Sequence, residues 1–119
     1  MDENSKWDID MERQPIIVLI TAPSTQVGAE IAKSLLEKKL AACVNILSSV
    51  DSFYLWRGAI NHDQEVLLIV KTQADLFEER LLPAIKAIHP YEIPEIIALP
   101  VIMGLPDYLN WMRDEIGLD

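Results

Sequence analysis

Hydrophobic and polar positions along the chain follow two periodicities, one typical of buried strands and one typical of amphipathic helices. Runs rich in β-branched and aliphatic residues predict four strands, at 16–20, 42–56, 65–72 and 96–103. The second run is longer than an ordinary strand, so we expect a bulge or bend near Ser48 and Ser49. Residues 57–63 predict a turn before the third strand. Pro100 has no backbone N–H to donate, which places the fourth strand at a sheet edge or a bulge.

Between these runs, apolar residues recur at the three- and four-residue spacing of a helix face. The spacing predicts three helices, marked by Ile31, Leu35, Leu36 and Leu40, by Phe77, Leu81, Ile85 and Ile88, and by Leu109, Met112 and Ile116. Thr72 and Asp75 resemble a capping box at the start of the second helix. Pro83 predicts a kink or an early break within it, since proline removes one backbone hydrogen bond. Pro90 ends this helix, because the residue before a proline favours extended geometry.

The element order is strand, helix, strand, strand, helix, strand and a final C-terminal helix. This is the order of the ferredoxin-like split βαβ sandwich, an α+β fold with an antiparallel sheet. Right-handed crossovers place both main helices on one face of the sheet and leave the other face bare. Strands such as 16–20 and 65–70 have few polar residues on either face, whereas a sheet face in water should alternate. We therefore expect other copies of the chain to cover the bare face.

Length and charge narrow the possible partners. The 119 residues suit one domain, and 19 acidic against 10 basic residues give a net charge of −9. An acidic protein repels phosphate backbones, so we expect no nucleic-acid partner. Residues 1–14 are acidic and lack apolar periodicity, which predicts a flexible tail before a single domain at 15–119. The tail does not resemble a signal peptide, and no apolar run reaches the length of a membrane span.

Cysteine usage favours a reducing compartment. Cys43 is the only cysteine, so the chain forms no internal disulfide. Together with the lack of a recognisable export signal, the lone thiol predicts a cytoplasmic protein that does not associate with membranes. We expect Cys43 to act as a small buried apolar residue.

Five segments in a consistent order resemble the signature of one protein family. They are KLAACVNI at 39–46, Tyr54-x-Trp56-x-Gly58-x-Ile60, LLIVKT at 67–72, HPYEIPEI at 89–96 and Tyr108-Leu109-x-Trp111. On these residues the chain resembles the CutA family of divalent-cation tolerance proteins over about residues 16–114. The resemblance implies a ferredoxin-like subunit in a homotrimer that is similar in build to the nitrogen-regulatory PII proteins. It also implies tolerance of divalent metals, copper above all, and no settled catalytic activity, so we expect neither an enzyme nor an organic cofactor.

The loop after the second helix carries the candidate metal ligands. His89, Glu92 and Glu95 place an imidazole and two carboxylates close together, and copper(II) and other divalent cations bind such ligands. The alternative is that His89 ends the helix and the loop packs at a subunit boundary. In relatives associated with copper, the proposed ligands include a cysteine and a second histidine. Those positions hold Ile20 and Ile88 in this chain, which leaves only His89 of that set.

A second candidate site centres on Lys71, which ends an apolar strand. A lysine is unusual there unless it is paired or lies at a cleft, and it can meet Glu92 or Glu95 across a subunit boundary. The predicted inter-subunit pocket is lined by Tyr54, Trp56, Lys71 and Tyr91. The alternatives are a purely structural ion pair, or a side chain that extends its ammonium group to solvent.

Two functions remain open from the sequence. The first is a homotrimer that binds or responds to divalent metal ions such as copper. The alternative is a PII-like sensor or scaffold whose clefts between subunits bind a small metabolite or a protein partner. An acylphosphatase-type enzyme on the same fold is disfavoured, because only four glycines are present and no glycine-rich loop follows the first strand to hold a phosphate.

Overall fold

The computed structural model describes residues 14–116, which fold around one four-stranded antiparallel sheet. The elements in chain order are β1 (Pro15–Ala22), α1 (Thr25–Glu37), β2 (Cys43–Trp56), β3 (Ala59–Gln73), a 3₁₀ turn (Ala74–Leu76), a π-helical turn (Phe77–Leu81), α2 (Leu82–Ile88), β4 (Ile96–Pro100) and α3 (Pro106–Glu115). The strand order in the sheet is β2-β3-β1-β4. This is the ferredoxin-like split βαβ topology, so the predicted α+β fold class is confirmed.

Gln14, the last residue of the predicted tail, contacts the folded domain. Gln14 donates from Nε2 to the carbonyl of Val101 at 2.9 Å, and its own carbonyl accepts from the backbone N–H of Ala74 at 2.8 Å. Gln14 therefore joins the start of β1 to the residues that follow β3 and β4. The rest of the predicted tail, residues 1–13, lies outside the described part of the chain, as do residues 117–119.

One face of the sheet packs against α1 and α2 and forms the core. The fully buried apolar side chains of this core include Val18, Ile20, Ile31, Leu35, Leu68, Val70, Leu81 and Ile85. Ser24 caps the start of helix α1, because its hydroxyl accepts from the backbone N–H of Val27. Gly28 lets this helix approach the sheet closely, because a Cβ atom there would lie 3.2 Å from Leu68 Cδ1 and 3.3 Å from Val66 Cγ2.

The opposite face of the sheet, turned away from α1 and α2, is mostly apolar and is called the outer face below. The strand register aligns its residues in two rows across all four strands, Cys43–Lys71–Ile17–Leu99 and Asn45–Ile69–Leu19–Ile97. At its margins, Leu47, Ile97 and Leu99 are 47%, 51% and 51% exposed. An apolar outer face is what the patterns of the first and third strands predict.

Strands β2 and β3 form a hairpin that extends past the rest of the sheet. Residues 59–65 of β3 pair only with β2, because pairing with β1 begins at Val66. The turn consists of Arg57 and Gly58, whose φ angles of 53° and 81° suit a two-residue hairpin turn. The turn predicted at 57–63 is therefore wrong in length, because residues 59–63 continue β3.

The predicted irregularity in β2 lies at Ser48 and Ser49. The register of β2 against β3 shifts between Leu47 and Val50, and Ser49 has a φ of 63°. This is a β-bulge, with one extra residue on β2. The expected bulge is confirmed.

The segment after β3 begins differently from the prediction. Thr72 does not cap a helix, because its hydroxyl is buried and donates to the carbonyl of Leu40 at 2.7 Å. The helical segment opens instead with the 3₁₀ and π-helical turns, and Pro83 lies in the first turn of α2. Proline is tolerated there because the first N–H groups of a helix have no partner within it. The predicted break near Pro83 is thus a change of helix type, and α2 ends before His89 as expected.

In the last part of the chain, β4 lies at an edge of the sheet. Helix α3 lies near the start of β1 and the end of β3. Pro100 is the final residue of β4, which ends earlier than the predicted 96–103 run. Met112 of helix α3 and Ile116, the residue after it, are buried. Within residues 14–116, the most exposed large apolar side chains are Phe53, Leu55, Ile60, Ile93, Ile102, Met103 and Leu105. No helix within residues 14–116 is long and apolar enough to cross a lipid bilayer.

Candidate functional site

An open cleft of about 680 Å³ lies between the outer part of the β2–β3 hairpin and the segment 91–95 that leads into β4. Its acidic lining residues are Asp51, Asp63, Glu65, Glu92 and Glu95, and its aromatic ones are Phe53, Tyr54, Trp56 and Tyr91. Among the described residues, no lysine, arginine or histidine lines this cleft. The cleft therefore combines aromatic walls with a strongly negative potential.

Two tyrosines hold two of these carboxylates in place. The Tyr91 hydroxyl donates to Glu65 Oε2 at 2.7 Å, and the Tyr54 hydroxyl donates to Asp63 Oδ2. Burial raises the pKa of Tyr91, and the hydrogen bond to Glu65 raises this pKa further. The pKa of Tyr54 is raised mainly by its hydrogen bond to Asp63. Both phenols therefore stay protonated and act as hydrogen-bond donors to the carboxylates.

Asp51 belongs to a separate cluster on the hairpin. Its Oδ1 lies 3.0 Å from His62 Nε2 and accepts from Gln64 Nε2 at 3.2 Å. Both hydrogen bonds lower the pKa of Asp51, and the one with His62 has the larger effect. The His62 ring stacks on Phe53 with centroids 4.2 Å apart and an interplanar angle of 5°. His62, which the sequence places in a turn, is thus part of an ordered strand pair.

His89 supports one wall of the cleft from behind. Its ring is 8% exposed, and Nε2 lies 2.8 Å from the carbonyl of Thr21 while Nδ1 accepts from the backbone N–H of Tyr91 at 3.1 Å. Because Nδ1 accepts, the ring proton is assigned to Nε2, which donates to Thr21. Both ring nitrogens are therefore engaged, and neither lone pair is free for a metal. The proposed ligand role of His89 is not supported, whereas its alternative role in packing the loop fits the geometry.

Lys71 lies away from the cleft within one chain. Its Nζ contacts Asn45 Oδ1 and lies 3.9 Å from Cys43 Sγ, on the outer face of the sheet. Cys43 is half-buried there, in contrast to the fully buried thiol that the sequence predicts. The predicted pocket with Lys71 concerned a boundary between subunits, and that part stays a prediction.

The donor set of the cleft suits cations but is not assembled as a preformed metal centre. Within residues 14–116, no group of three or more His, Cys, Asp or Glu side chains is arranged to hold a metal ion. Carboxylate and phenol oxygens are hard ligands, which match hard divalent cations. One chain by itself therefore offers electrostatic attraction and a few oxygen ligands, with room for water to complete a coordination shell.

The structure brings together five of the seven residues that the sequence singles out. Tyr54, Trp56, Tyr91, Glu92 and Glu95 all line the cleft. The sequence analysis missed the other acidic lining residues, which are Asp51, Asp63 and Glu65. The missing signal was the two-residue turn at Arg57-Gly58, since a strand that starts at Ala59 carries Asp63 and Glu65 on one face.

Fold and cleft together define the class of protein: a ferredoxin-like α+β protein with an acidic, aromatic cleft beside an apolar sheet face. The family model of the CutA1 divalent ion tolerance protein matches residues 16–115. The chain belongs to this family. The resemblance drawn from the sequence motifs is thereby confirmed.

Similar proteins come from distant organisms. The divalent-cation tolerance protein CutA of Thermus thermophilus is 50% identical over 101 residues, which are 85% of this chain and 97% of the relative. The human protein CutA is 46% identical over 94 residues, which are 79% of this chain, and the match spans about half of that relative, 52% of its length.

Two solved structures share the fold closely. The structure of the Thermus thermophilus divalent cation tolerance protein superposes with a TM-score of 0.84 at 48% identity, over 87% of this chain and 99% of that one. CutA1 from Oryza sativa gives a TM-score of 0.85 at 40% identity, over 89% of this chain and 96% of that one. The whole ferredoxin-like core therefore has close structural counterparts.

Proposed function

We propose that the protein is a non-enzymatic homotrimer that binds divalent cations through its acidic cleft. The observation that carries this proposal is the lining of the cleft, which includes five carboxylates and, among the described residues, no lysine, arginine or histidine. Carboxylates that converge on a cleft with apolar walls concentrate cations from solution. The family's description as divalent ion tolerance proteins supports the same function.

We assign the cation to the carboxylates rather than to His89. Asp63 and Glu65 are oriented by Tyr54 and Tyr91, which leaves further lone pairs of each carboxylate open to the cleft. Such oxygen ligands accept any divalent cation, and copper(II) binds most tightly among the first-row divalent ions at a given site. Copper is therefore one of the cations that we expect the cleft to bind, with water or a second copy completing the shell.

Calorimetric titration of manganese(II) and copper(II) tests this assignment. The variant Asp63→Asn/Glu65→Gln removes two charges from the cleft, while its amide oxygens still accept from the tyrosines. The matched control, Glu30→Gln/Glu37→Gln, removes two exposed charges from α1. We expect the cleft variant to bind about tenfold more weakly and the control to stay within about twofold of wild type, because solvent screens distant charges. Identical isotherms for all three proteins would refute the assignment.

The homotrimer is supported by the apolar outer face and by the exposed hairpin. Aliphatic side chains fill most of two rows across the sheet, and Phe53, Leu55 and Ile60 are 69%, 73% and 78% exposed on the hairpin. Contiguous exposed apolar surface of this kind marks a protein interface. Light scattering at micromolar concentration should give three times the mass of the chain, and a stable single copy would contradict the proposal.

A PII-like scaffold remains the second candidate, supported by the cleft itself. The negative charge of the cleft disfavours a small anionic metabolite as its ligand, because that metabolite would meet five carboxylates. A thermal shift with anionic metabolites and none with metals would favour the scaffold over the cation-binding protein.

We also propose a cytoplasmic location, supported by the single free thiol. Fractionation of cells that express the full chain would check this location.

A further inference from the structure

Lys71 places a positive charge on a mostly apolar surface. It lies in the row between Cys43 and Ile17 on the outer face, half-buried, with its ammonium group against Asn45 Oδ1. The described residues contain a single ion pair, His62 with Asp51, so no carboxylate of residues 14–116 neutralises Lys71. If another copy covered this face, the ammonium group would lose its water and would require a carboxylate partner.

The acidic cleft lies at the other end of the same sheet. Glu65 precedes Lys71 by six residues on β3, which separates the two positions by about 20 Å. This distance is too long for the lysine of a chain to reach the cleft of that chain. Among the lining carboxylates, those of Glu92 and Glu95 accept no side-chain hydrogen bond from the described residues. The sheet thus has a positive end and a negative end.

We infer that Lys71 of one copy enters the acidic cleft of the next copy and pairs there with Glu92 or Glu95. The inference rests on the proposed self-association and adds the residue by which neighbouring copies recognise each other. Because the two charged ends are different surfaces, each contact joins the head of one copy to the tail of the next. Repeating such a contact gives a closed ring when the rotation that relates neighbouring copies divides a full turn evenly. The cleft is then complete only with the neighbour's lysine. Five carboxylates and one ammonium group leave a charge of −4, so the cleft still attracts cations.

A charge swap within one chain tests this pairing. Lys71→Glu places like charges at every contact between copies, and Lys71→Glu/Glu95→Lys restores opposite charges. Glu95 lies about four residues along the sheet and two strands across from Lys71, which separates their backbones by about 16 Å in one chain. The two side chains cannot meet over that distance, so any rescue by the second substitution must act between chains. The control is Lys33→Glu, which reverses an exposed charge on α1. Sedimentation velocity across a dilution series measures the concentration at which the oligomer dissociates, and circular dichroism checks that each variant is folded.

We expect Lys71→Glu to raise the dissociation midpoint on the order of 30-fold, Lys33→Glu to leave it unchanged, and the double variant to recover most of the loss. If Lys71→Glu does not fold, Lys71→Met replaces it, and the salt dependence of assembly should then fall. A second double variant, Lys71→Glu/Glu92→Lys, tests the other carboxylate. An oligomer that Lys71→Glu leaves unchanged, or a failure of both double variants to improve on the single one, would overturn the pairing alone. A monomeric wild type would overturn the self-association and the pairing with it.

Discussion

Replacing His89 by alanine separates a structural role of this imidazole from a metal-binding role. The substitution removes the donor to the Thr21 carbonyl at 2.8 Å and the acceptor for the Tyr91 N–H at 3.1 Å, at a site that is 8% exposed. It also removes the ring that lies 4.8 Å from the Tyr91 ring. Each buried hydrogen bond contributes about 1 kcal/mol net, and the lost packing adds a cavity cost, so we expect a destabilisation of about 2–4 kcal/mol.

Urea unfolding followed by tryptophan fluorescence, at one fixed protein concentration, measures this change. Fixing the concentration matters because self-association contributes to the apparent stability. His62→Ala is the matched control, since this histidine lies on the exposed hairpin. We expect it to cost less than about 0.5 kcal/mol.

The copper(II) isotherm gives the second measurement on the His89→Ala variant. A structural role predicts binding that changes little, because the cleft carboxylates remain. A variant as stable as wild type that no longer binds copper would refute our interpretation of His89. A loss of stability with intact binding would support it.

Three further predictions concern the packing, the outer face and the tyrosines. Gly28→Ala should destabilise the fold by about 1–2 kcal/mol in thermal unfolding, because its Cβ would meet Leu68 and Val66 at 3.2 and 3.3 Å. Ile97→Lys, at the margin of the outer face, should shift the protein towards monomer in light scattering. Because the folded state raises the pKa of Tyr91, the folded chain holds that proton more tightly than the unfolded chain, so stability falls above about pH 10. Tyr91→Phe should flatten this alkaline decline, and an unchanged pH profile would contradict the role of Tyr91.

Most of the fold can be predicted from the chain because its strands and helices are locally consistent. The aliphatic runs of β1 and β3 are too apolar for any position but the centre of the sheet, and α1 has a clear apolar stripe. The bulge at Ser48 and Ser49 followed from strand length alone. The start of the second helical segment could not be predicted from local sequence, since Thr72 bonds to Leu40, which lies 32 residues earlier. Local patterns carry no information about such long-range partners.

The candidate site was predicted less completely than the fold. Tyr54, Tyr91 and Glu95 were found through motifs, yet the geometry that makes the cleft acidic depends on the exact length of the hairpin turn. His89 was chosen because imidazole is a common ligand, but its ring nitrogens bond to Thr21 and Tyr91. Whether a histidine is free to bind a metal depends on tertiary partners, and residue type alone does not reveal them.

The pair of serines in β2 has a consequence for how this hairpin tolerates changes in length. The extra residue is accommodated because two serines lie opposite the single residue Val66, so that Leu47 and Val50 stay on the same side as their partners Leu67 and Glu65, and Tyr54 lies beside Asp63. Deleting Ser48 would leave one residue opposite Val66 and restore regular alternation, with Tyr54 still on the side of Asp63. The loss of one serine at this position would therefore straighten β2 without exchanging the two surfaces of the hairpin.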